Sequence, residues 1–379
     1  MKTHRVYIIA GEASGDNIGA KLMAAMKERG KFEFKGIGGS KMQALGFASL
    51  FPMREISMMG FVEVIPKIPL VKKRIAETVK DIIAYRPEVL ITIDSFGFNK
   101  RVVKGVRKVF GRRIRIVHYV APTVWAYKPK RAQLVAKLFD HQLLILPFEK
   151  PFFDKVGARS TYVGHPVVED KPNKKINRKA LGIPAHAKVL LIMPGSRIGE
   201  IKRHAPIFAE VFDKLRAESG EPLYAVIPTL PHLTKELKMH FKENAIISAD
   251  SQHKSEFFAV SDFALIKSGT SSVEMMLWKI PCVVAYKVNL LTSYYLRLVL
   301  KIKYASIANL ILDKELIPEF IQKNCTASKI YNKLSELMLD KKEQQLQRTG
   351  YARVLKLLGL GGKKRPSVKA AEVVSKLLV

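Results

Sequence analysis

Short runs of β-branched and leucine-rich residues alternate along the chain with longer stretches in which apolar residues recur at helical spacing. That alternation is the signature of parallel strands joined by helices that cover both faces of a sheet. In the first half the pattern predicts strands at residues 6–10, 34–37, 89–93, 114–120, 143–146 and 161–163. A fresh series follows at 189–193, 224–227, 245–247, 263–266 and 283–286. The restart predicts two α/β domains, each with its own parallel sheet. Between them lies the polar, proline-containing segment 164–188, GHPVVEDKPNKKINRKALGIPAHAK, with few residues suited to a core. The reading is a first domain at 1–165, a second at 166–345 and a basic tail at 346–379. In that tail GLGGKKRPS (359–367) precedes a last short helix at 368–379, which docks on the first domain or on another subunit.

Composition changes this picture in one respect. The 379 residues suffice for two to three domains at roughly 150 each. Sixty-five Lys and Arg against thirty-three Asp and Glu leave a net charge of +32, which favours polyanionic partners: nucleic acid, anionic lipid or phosphorylated substrates. Two cysteines, Cys282 and Cys325, are too few for a disulfide framework and point to a reducing, cytoplasmic setting. The first residues run directly into a predicted core strand with no apolar leader. Charged residues interrupt every apolar stretch before the roughly 18 residues that span a bilayer. Membrane contact, if made, is peripheral on this reading.

The candidate chemistry sits at strand ends. The first predicted strand leads into Gly11-Glu12-Ala13-Ser14-Gly15-Asp16, a turn at the place where open α/β sheets bind ligands, without the G-x-G-x-x-G spacing of a dinucleotide site. Ser14 and Asp16 read as helix caps or cleft residues, while Glu12 faces the crevice. Asp94 is the first polar residue beyond the strand 89–93, placed for a general base or an Asx-type turn. In the second half Pro194-Gly195-Ser196-Arg197 offers turn amides and a guanidinium to phosphate oxygens. Ser268-Gly269-Thr270-Ser271-Ser272 opens a helix with free N–H donors and the positive end of its dipole, the strongest anion-site signal in the chain. Glu274, one turn in, reads either as a ribose ligand or as a dipole-compensating acid.

Three further features are less specific. Met58, Met59, Phe61, Val62, Ile65, Ile68 and Leu70 abut Lys72, Lys73 and Arg74, as in a segment inserting shallowly beside anionic headgroups or in a core helix with a basic end. The run KRVVKGVRKVFGRRIR (100–115) holds eight Lys or Arg and no acid, with valines spaced for one buried helix face. The nine histidines lack metal-ligand spacing, no Asp-x-Asp pair occurs, and no metal is expected. His118 and His165 read as core or cleft residues.

Taken together, AGEASGD, MMGFVEV, ITIDSFGFN, HYVAPTVWAY, LPFEK, VGHP, MPGSR, KSGTSSVE and YASIANLI make the chain resemble the lipid-A-disaccharide synthase family from end to end. The resemblance implies a GT-B fold, with two Rossmann-like doubly wound domains facing a central cleft. It also implies transfer of 2,3-diacylglucosamine from its UDP derivative to 2,3-diacylglucosamine 1-phosphate, with release of UDP. It assigns Asp94 as base on the acceptor hydroxyl, Arg197 as the essential Arg of its loop, and Glu12 as the acid of the first loop. Gly195, Ser196, Gly269, Thr270, Ser271, Glu274 and Asn309 are assigned to UDP and substrate binding; Ser14, Asp16 and His118 stay acceptor or cleft candidates. Phe96-Gly97 and Ala308 depart from the family pattern, which often carries a second Asp and a Pro there. The expected partners are the two acylated sugars and the anionic cytoplasmic face of the inner membrane, with no nucleic acid and with a homodimer possible through the tail. The alternatives are another UDP-sugar enzyme of GT-B type, such as an epimerase, and a basic nucleic-acid-binding protein.

Overall fold

The computed structural model describes residues 2–56, 68–172, 178–269, 271–289, 294 and 302–378. The chain divides into two units, Met1–Glu169 with Leu358–Val379, and Asp170–Leu357.

The first unit is built on strands β1 (His4–Ala10), β2 (Phe32–Ile37), β3 (Ala48–Ser49), β4 (Val89–Ile93), β5 (Arg115–Tyr119), β6 (His141–Leu144) and β7 (Ser160–Tyr162). They form one parallel sheet in the order β3-β2-β1-β4-β5-β6-β7. Helices α1 (Ala13–Lys27), α2 (Ser40–Gln43), α3 (Ile68–Tyr85), α4 (Phe96–Phe110), α5 (Arg131–Leu138) and α6 (Lys150–Asp154) connect them. Strands covered on both faces read as unbroken apolar runs. Val6 to Ala10 and the whole of β4 are accordingly buried. Val102, Val103 and Val106 bury one face of α4 as their spacing predicts, and Arg101, Lys104 and Lys108 are exposed.

The second unit repeats the plan with β8 (Lys188–Met193), β9 (Leu223–Pro228), β10 (Ala245–Ser248), β11 (Phe263–Lys267), β12 (Cys282–Tyr286) and β13 (Glu319–Ile321), ordered β10-β9-β8-β11-β12-β13. Its helices are α7 (Ile198–Glu218), α8 (Thr234–His240), α9 (Ser251–Val260), α10 (Ser271–Trp278), α11 (Ile307–Leu312), α12 (Ala327–Leu339) and α13 (Lys341–Leu357). Both sheets are doubly wound. In each the chain order reverses once, between β1 and β4 and between β8 and β11, so the following loops diverge and leave a ligand crevice at the carboxyl edge.

The chain leaves the second unit later than the expected break at 345/346, which falls inside α13. That helix is tied to the second sheet: Gln347 accepts the Cys282 N–H at 2.9 Å and donates to its carbonyl at 3.3 Å, and Tyr351 donates to Gln347 at 2.6 Å. From Leu358 the chain belongs to the first unit, where α14 (Pro366–Lys376) packs along α1. Ser367 donates its N–H and hydroxyl to Glu169, both at 2.7 Å, and Arg365 meets Glu28 at 3.2 Å. The tail thus rests on the first unit of its own chain.

Of the membrane-contact candidates, Met58, Met59, Phe61, Val62 and Ile65 lie outside the described residues. Ile68, Lys72 and Lys73 are exposed at the start of α3, and Leu70 is half-buried. Arg74 corrects the expectation. Its guanidinium lies over the Phe51 ring, 4.6 Å from the centroid, and pairs with Glu55 at 2.6 Å and Glu77 at 2.5 Å, so it closes an internal network. Among the described residues no helix is long and apolar enough to cross a membrane.

Candidate active site at the two switch points

In the first unit Ala10 pairs with Ile93, so the loops after β1 and β4 leave the sheet side by side. Their approach is close: a Cβ at Gly11 would lie 2.2 Å from Ser95 Oγ. Glu12, half-buried and extended (φ −148°), occupies the cap position of α1. Across from it Asp94 and Ser95 are both left-handed, with φ of 51° and 41°. Such backbone costs on the order of 1 kcal/mol per residue and persists where the surroundings over-determine it. Here they do. The Asp94 N–H donates to the Tyr119 carbonyl at 2.9 Å, and the buried Asn99 amide donates to the Asp94 carbonyl at 2.7 Å. The turn therefore holds a half-buried carboxyl group just past the end of the central strand. Val120, after β5, is also left-handed at 65°, a rare state for a β-branched residue. Strain in this unit gathers at the carboxyl edge.

Two cleft candidates prove structural. Asp16 is buried and accepts N–H bonds from Gly39 (2.8 Å), Lys41 (2.9 Å) and Met42 (3.1 Å), fixing the start of α2 to α1. His118 is fully buried in the sheet, its Nδ1 2.7 Å from Thr92 Oγ1 and its ring against Phe96 and Phe139. Burial pulls its pKa down to about 3, so the ring is neutral and part of the core. Ser14 is exposed on the first turn of α1. The LPFEK segment contributes Glu149, which the motif reading passed over. It is buried, accepts N–H bonds from Ile145 (3.2 Å), Leu146 (3.0 Å) and the Trp125 indole (3.4 Å), and burial lifts its pKa to about 7.

In the second unit Met193 pairs with Ile266, which brings Gly195-Ser196-Arg197 beside Lys267-Ser268-Gly269. Glu200, on the first turn of α7, organises both loops. One carboxylate oxygen accepts the Ser196 N–H at 3.0 Å; the other pairs with Arg197 at 2.9 Å and with Lys267 at 3.0 Å. Gly195 is left-handed (φ 140°), and a Cβ there would meet Glu200 at 2.6 Å, so glycine is required for the carboxylate to tuck beneath the turn. Burial pushes the Glu200 carboxyl up, but Lys267 and Arg197 outweigh it and hold it below the usual range. Neither Glu200 nor Lys267 carries a role in the sequence reading above. The expectation that the Gly-Ser turn offers its amides to phosphate is corrected for Ser196, whose N–H Glu200 engages.

Around this cluster, Lys267 lies over the Tyr286 ring at 5.2 Å, and His204 accepts the Lys287 N–H at 2.9 Å. Burial and Lys267 pull the His204 pKa down to about 4. Gly269 is left-handed at 151° and its carbonyl accepts from the Ser272 N–H at 3.1 Å and hydroxyl at 2.9 Å, which shapes the start of α10 at Ser271; Thr270 lies outside the described residues. Glu274 pairs with Lys254 at 2.6 Å. Asn309, expected at the substrate, is instead buried: its amide donates to Ile317 and Glu319, both at 2.8 Å, and its carbonyl accepts from Leu316 (2.8 Å) and Ile317 (2.9 Å). Glu319 in turn accepts the Ala305 and Ser306 N–H groups at 2.7 Å, and the Ala305 carbonyl accepts from Ser268 at 2.8 Å. Asn309 thus builds the loop that braces the Lys267-Ser268 turn. Among the described residues no group of three or more His, Cys, Asp and Glu is placed to hold a metal ion.

A sequence profile described as lipid-A-disaccharide synthetase matches residues 6–373. The lipid-A-disaccharide synthase of Rickettsia bellii (strain OSU 85-389) is 41% identical over 374 residues, covering 98% of each chain. That of Rhodospirillum centenum (strain ATCC 51521 / SW) is 37% identical over 382 residues, covering 99% of this chain and 94% of the relative. Among solved structures, UDP-GlcNAc 2-epimerase from Neisseria meningitidis bound to UDP-GlcNAc is similar in fold, with a TM-score of 0.65 at 11% identity and 99% coverage of both chains. MurG of Acinetobacter baumannii has a TM-score of 0.55 at 11% identity, covering 98% of this chain and 99% of that one. These distant likenesses bear on fold alone, which is of the GT-B type. With the profile and the relatives spanning nearly every residue, the chain belongs to the lipid-A-disaccharide synthetase family.

Proposed function

We propose that this glycosyltransferase joins its two sugars by a single inverting displacement, with Asp94 as base and Arg197 and Lys267 offsetting the charge of the departing UDP. The 6-hydroxyl of 2,3-diacylglucosamine 1-phosphate attacks the anomeric carbon of UDP-2,3-diacylglucosamine. Its proton passes to the Asp94 carboxylate, a new C–O bond forms on the face opposite UDP, and the old one breaks with its electron pair leaving on the diphosphate. The products are the β-1,6-linked disaccharide 1-phosphate and UDP.

The observation that carries this reading is the cluster centred on Glu200. Arg197 and Lys267 are both held by the Glu200 carboxylate at the second switch point, in place before any ligand arrives. Preorganised charge of this kind stabilises a developing anion without reorganisation at the moment of reaction. The start of α10 adds its dipole, and Glu274 is proposed to receive the ribose once Lys254 yields. Glu12 is proposed to support the acceptor beside Asp94. With these groups compensating the diphosphate, turnover is expected to need no divalent metal, and a chelator is expected to leave it unchanged.

Peripheral attachment to the anionic cytoplasmic face of the inner membrane is proposed through the segment at 58–70 with Lys72 and Lys73, assisted by the +32 charge. Binding to anionic vesicles should then keep an apolar component at high salt, whereas purely electrostatic binding, including binding to nucleic acid, should vanish. The transfer itself is tested by product analysis. UDP and disaccharide should form only when the acylated acceptor is present. Epimerised UDP-sugar made without acceptor would reject the reading in favour of the epimerase alternative.

A further inference from the structure

The basic run at 100–115 ends far from the chemistry, at the amino edge of the first sheet. There Arg115 opens β5, Asp140 directly precedes β6 and Arg159 directly precedes β7, on three adjacent strands. At roughly 4.8 Å per strand, and with Arg115 two residues behind Arg159 in register, the two arginines stand about 12 Å apart, a gap that their long side chains can span. Together with Arg112, Phe139 and Lys376 they line a groove of about 560 Å³, the size of a small-molecule site. Its one carboxylate is already engaged. Asp140 pairs with Arg107 at 2.7 Å and Arg112 at 2.8 Å and accepts the Ile116 N–H at 2.7 Å. Arg115, Arg159 and Lys376 are exposed; among the described residues neither arginine side chain has a hydrogen bond or ion pair, while Lys376 acts on the Glu372 carboxylate. Two unpaired arginines and Lys376, whose charge is shared with Glu372, therefore line one groove. Next to it His141 lines an adjoining hollow with Lys376, and its pKa is lowered by burial and by Arg159.

We propose that this groove is a second anion site, at the opposite edge of the sheet from Asp94, for a phosphomonoester or diphosphate group. Two arginines can grip such a group bidentately and Lys376 matches its remaining charge. The group's source is either a free phosphorylated metabolite or the headgroup of an anionic lipid.

The test uses the full chain with UDP in excess, so that any other diphosphate site is filled. Inorganic pyrophosphate is titrated while the His141 ring signals are followed by NMR. A saturable shift that becomes at least about tenfold weaker in the double variant Arg115→Gln/Arg159→Gln, with its unfolding midpoint unchanged, supports the site. In a parallel arm the two proteins are sedimented with phosphatidylglycerol or phosphatidylcholine vesicles. A matching loss on phosphatidylglycerol alone assigns the source to lipid; a pyrophosphate shift with sedimentation indifferent to the variant assigns it to a free phosphate. Absence of a His141 shift with pyrophosphate, or equal affinity in the variant, overturns the proposal.

Discussion

At the scale of single residues, the account turns on which polar side chains are committed to the fold and which are presented to a ligand. Glu200 joins Ser196, Arg197 and Lys267, so removing its charge leaves two half-buried cations facing one another. Breaking a partly buried ion pair in this way typically costs a few kcal/mol. Glu200→Gln is therefore expected to destabilise the second unit by about 2 kcal/mol and to lower kcat/KM, because Arg197 loses its anchor. Denaturant melts and steady-state kinetics read both effects, and a variant with wild-type values in each would contradict the role. Asp94 and Arg197 stand out in the sequence because a polar residue after a buried strand is visible locally; their proposed roles await test. Sequence reasoning overrated Asp16, His118 and Asn309 for the same reason. Asp16 is held by amides 23 to 26 positions away, and His118 by Thr92 26 positions back. Only the fold brings such partners together, and no spacing rule announces them. The Glu200 to Lys267 contact was hidden likewise, since it depends on β8 and β11 being neighbours across the switch point.

At the scale of elements, the long buried strands were plain in the apolar pattern. Two were not: β3, with two residues, is too short to carry any periodicity, and β13, Glu319–Ile321, has only half-buried residues and no unbroken apolar run. The last helix begins at Pro366, two residues before the expected start, because proline's fixed φ suits a first helical position. Helix α4 offers a clean test of local propensity. Gly97 lies exposed in its first turn, and a Cβ there meets nothing within 4 Å. Gly97→Ala should stabilise the first unit by about 0.5–1 kcal/mol and raise its melting temperature, with UDP affinity unchanged. A lower melting temperature would mean that the loop after Asp94 needs the freedom of glycine.

At the scale of the whole molecule, three buried histidines set the acid limit of the fold. Burial pulls His118 to about 3 and His165 and His204 to about 4, against about 6.5 in the unfolded chain. All three are neutral in the folded state, while the unfolded chain takes up protons below pH 6.5. Their contribution is therefore fully present above pH 6.5 and is lost as pH falls toward 4, at up to roughly 4 kcal/mol per pH unit for three protons. Glu149 acts the other way: lifted to about 7, its share is complete below about 4.5 and declines as pH rises through 7. Stability measured by denaturant midpoint should fall steeply between pH 6 and 4.5, and His204→Gln should soften the fall in the second unit. A flat profile over that range would show that the rings are protonated in the native state. The +32 charge was legible from composition, and the gathering of Arg115, Arg159 and Lys376 at the amino edge of the first sheet was not, because charge counts carry no positions.

Two separate jobs are proposed, proton removal by Asp94 in the first unit and diphosphate stabilisation by Arg197 and Lys267 in the second. Turnover and UDP affinity of Asp94→Asn, measured side by side, test this separation most directly. The expected result is a fall in kcat of roughly a hundred- to ten-thousandfold with the dissociation constant for UDP unchanged. Undiminished turnover, or loss of UDP binding together with activity, would contradict it.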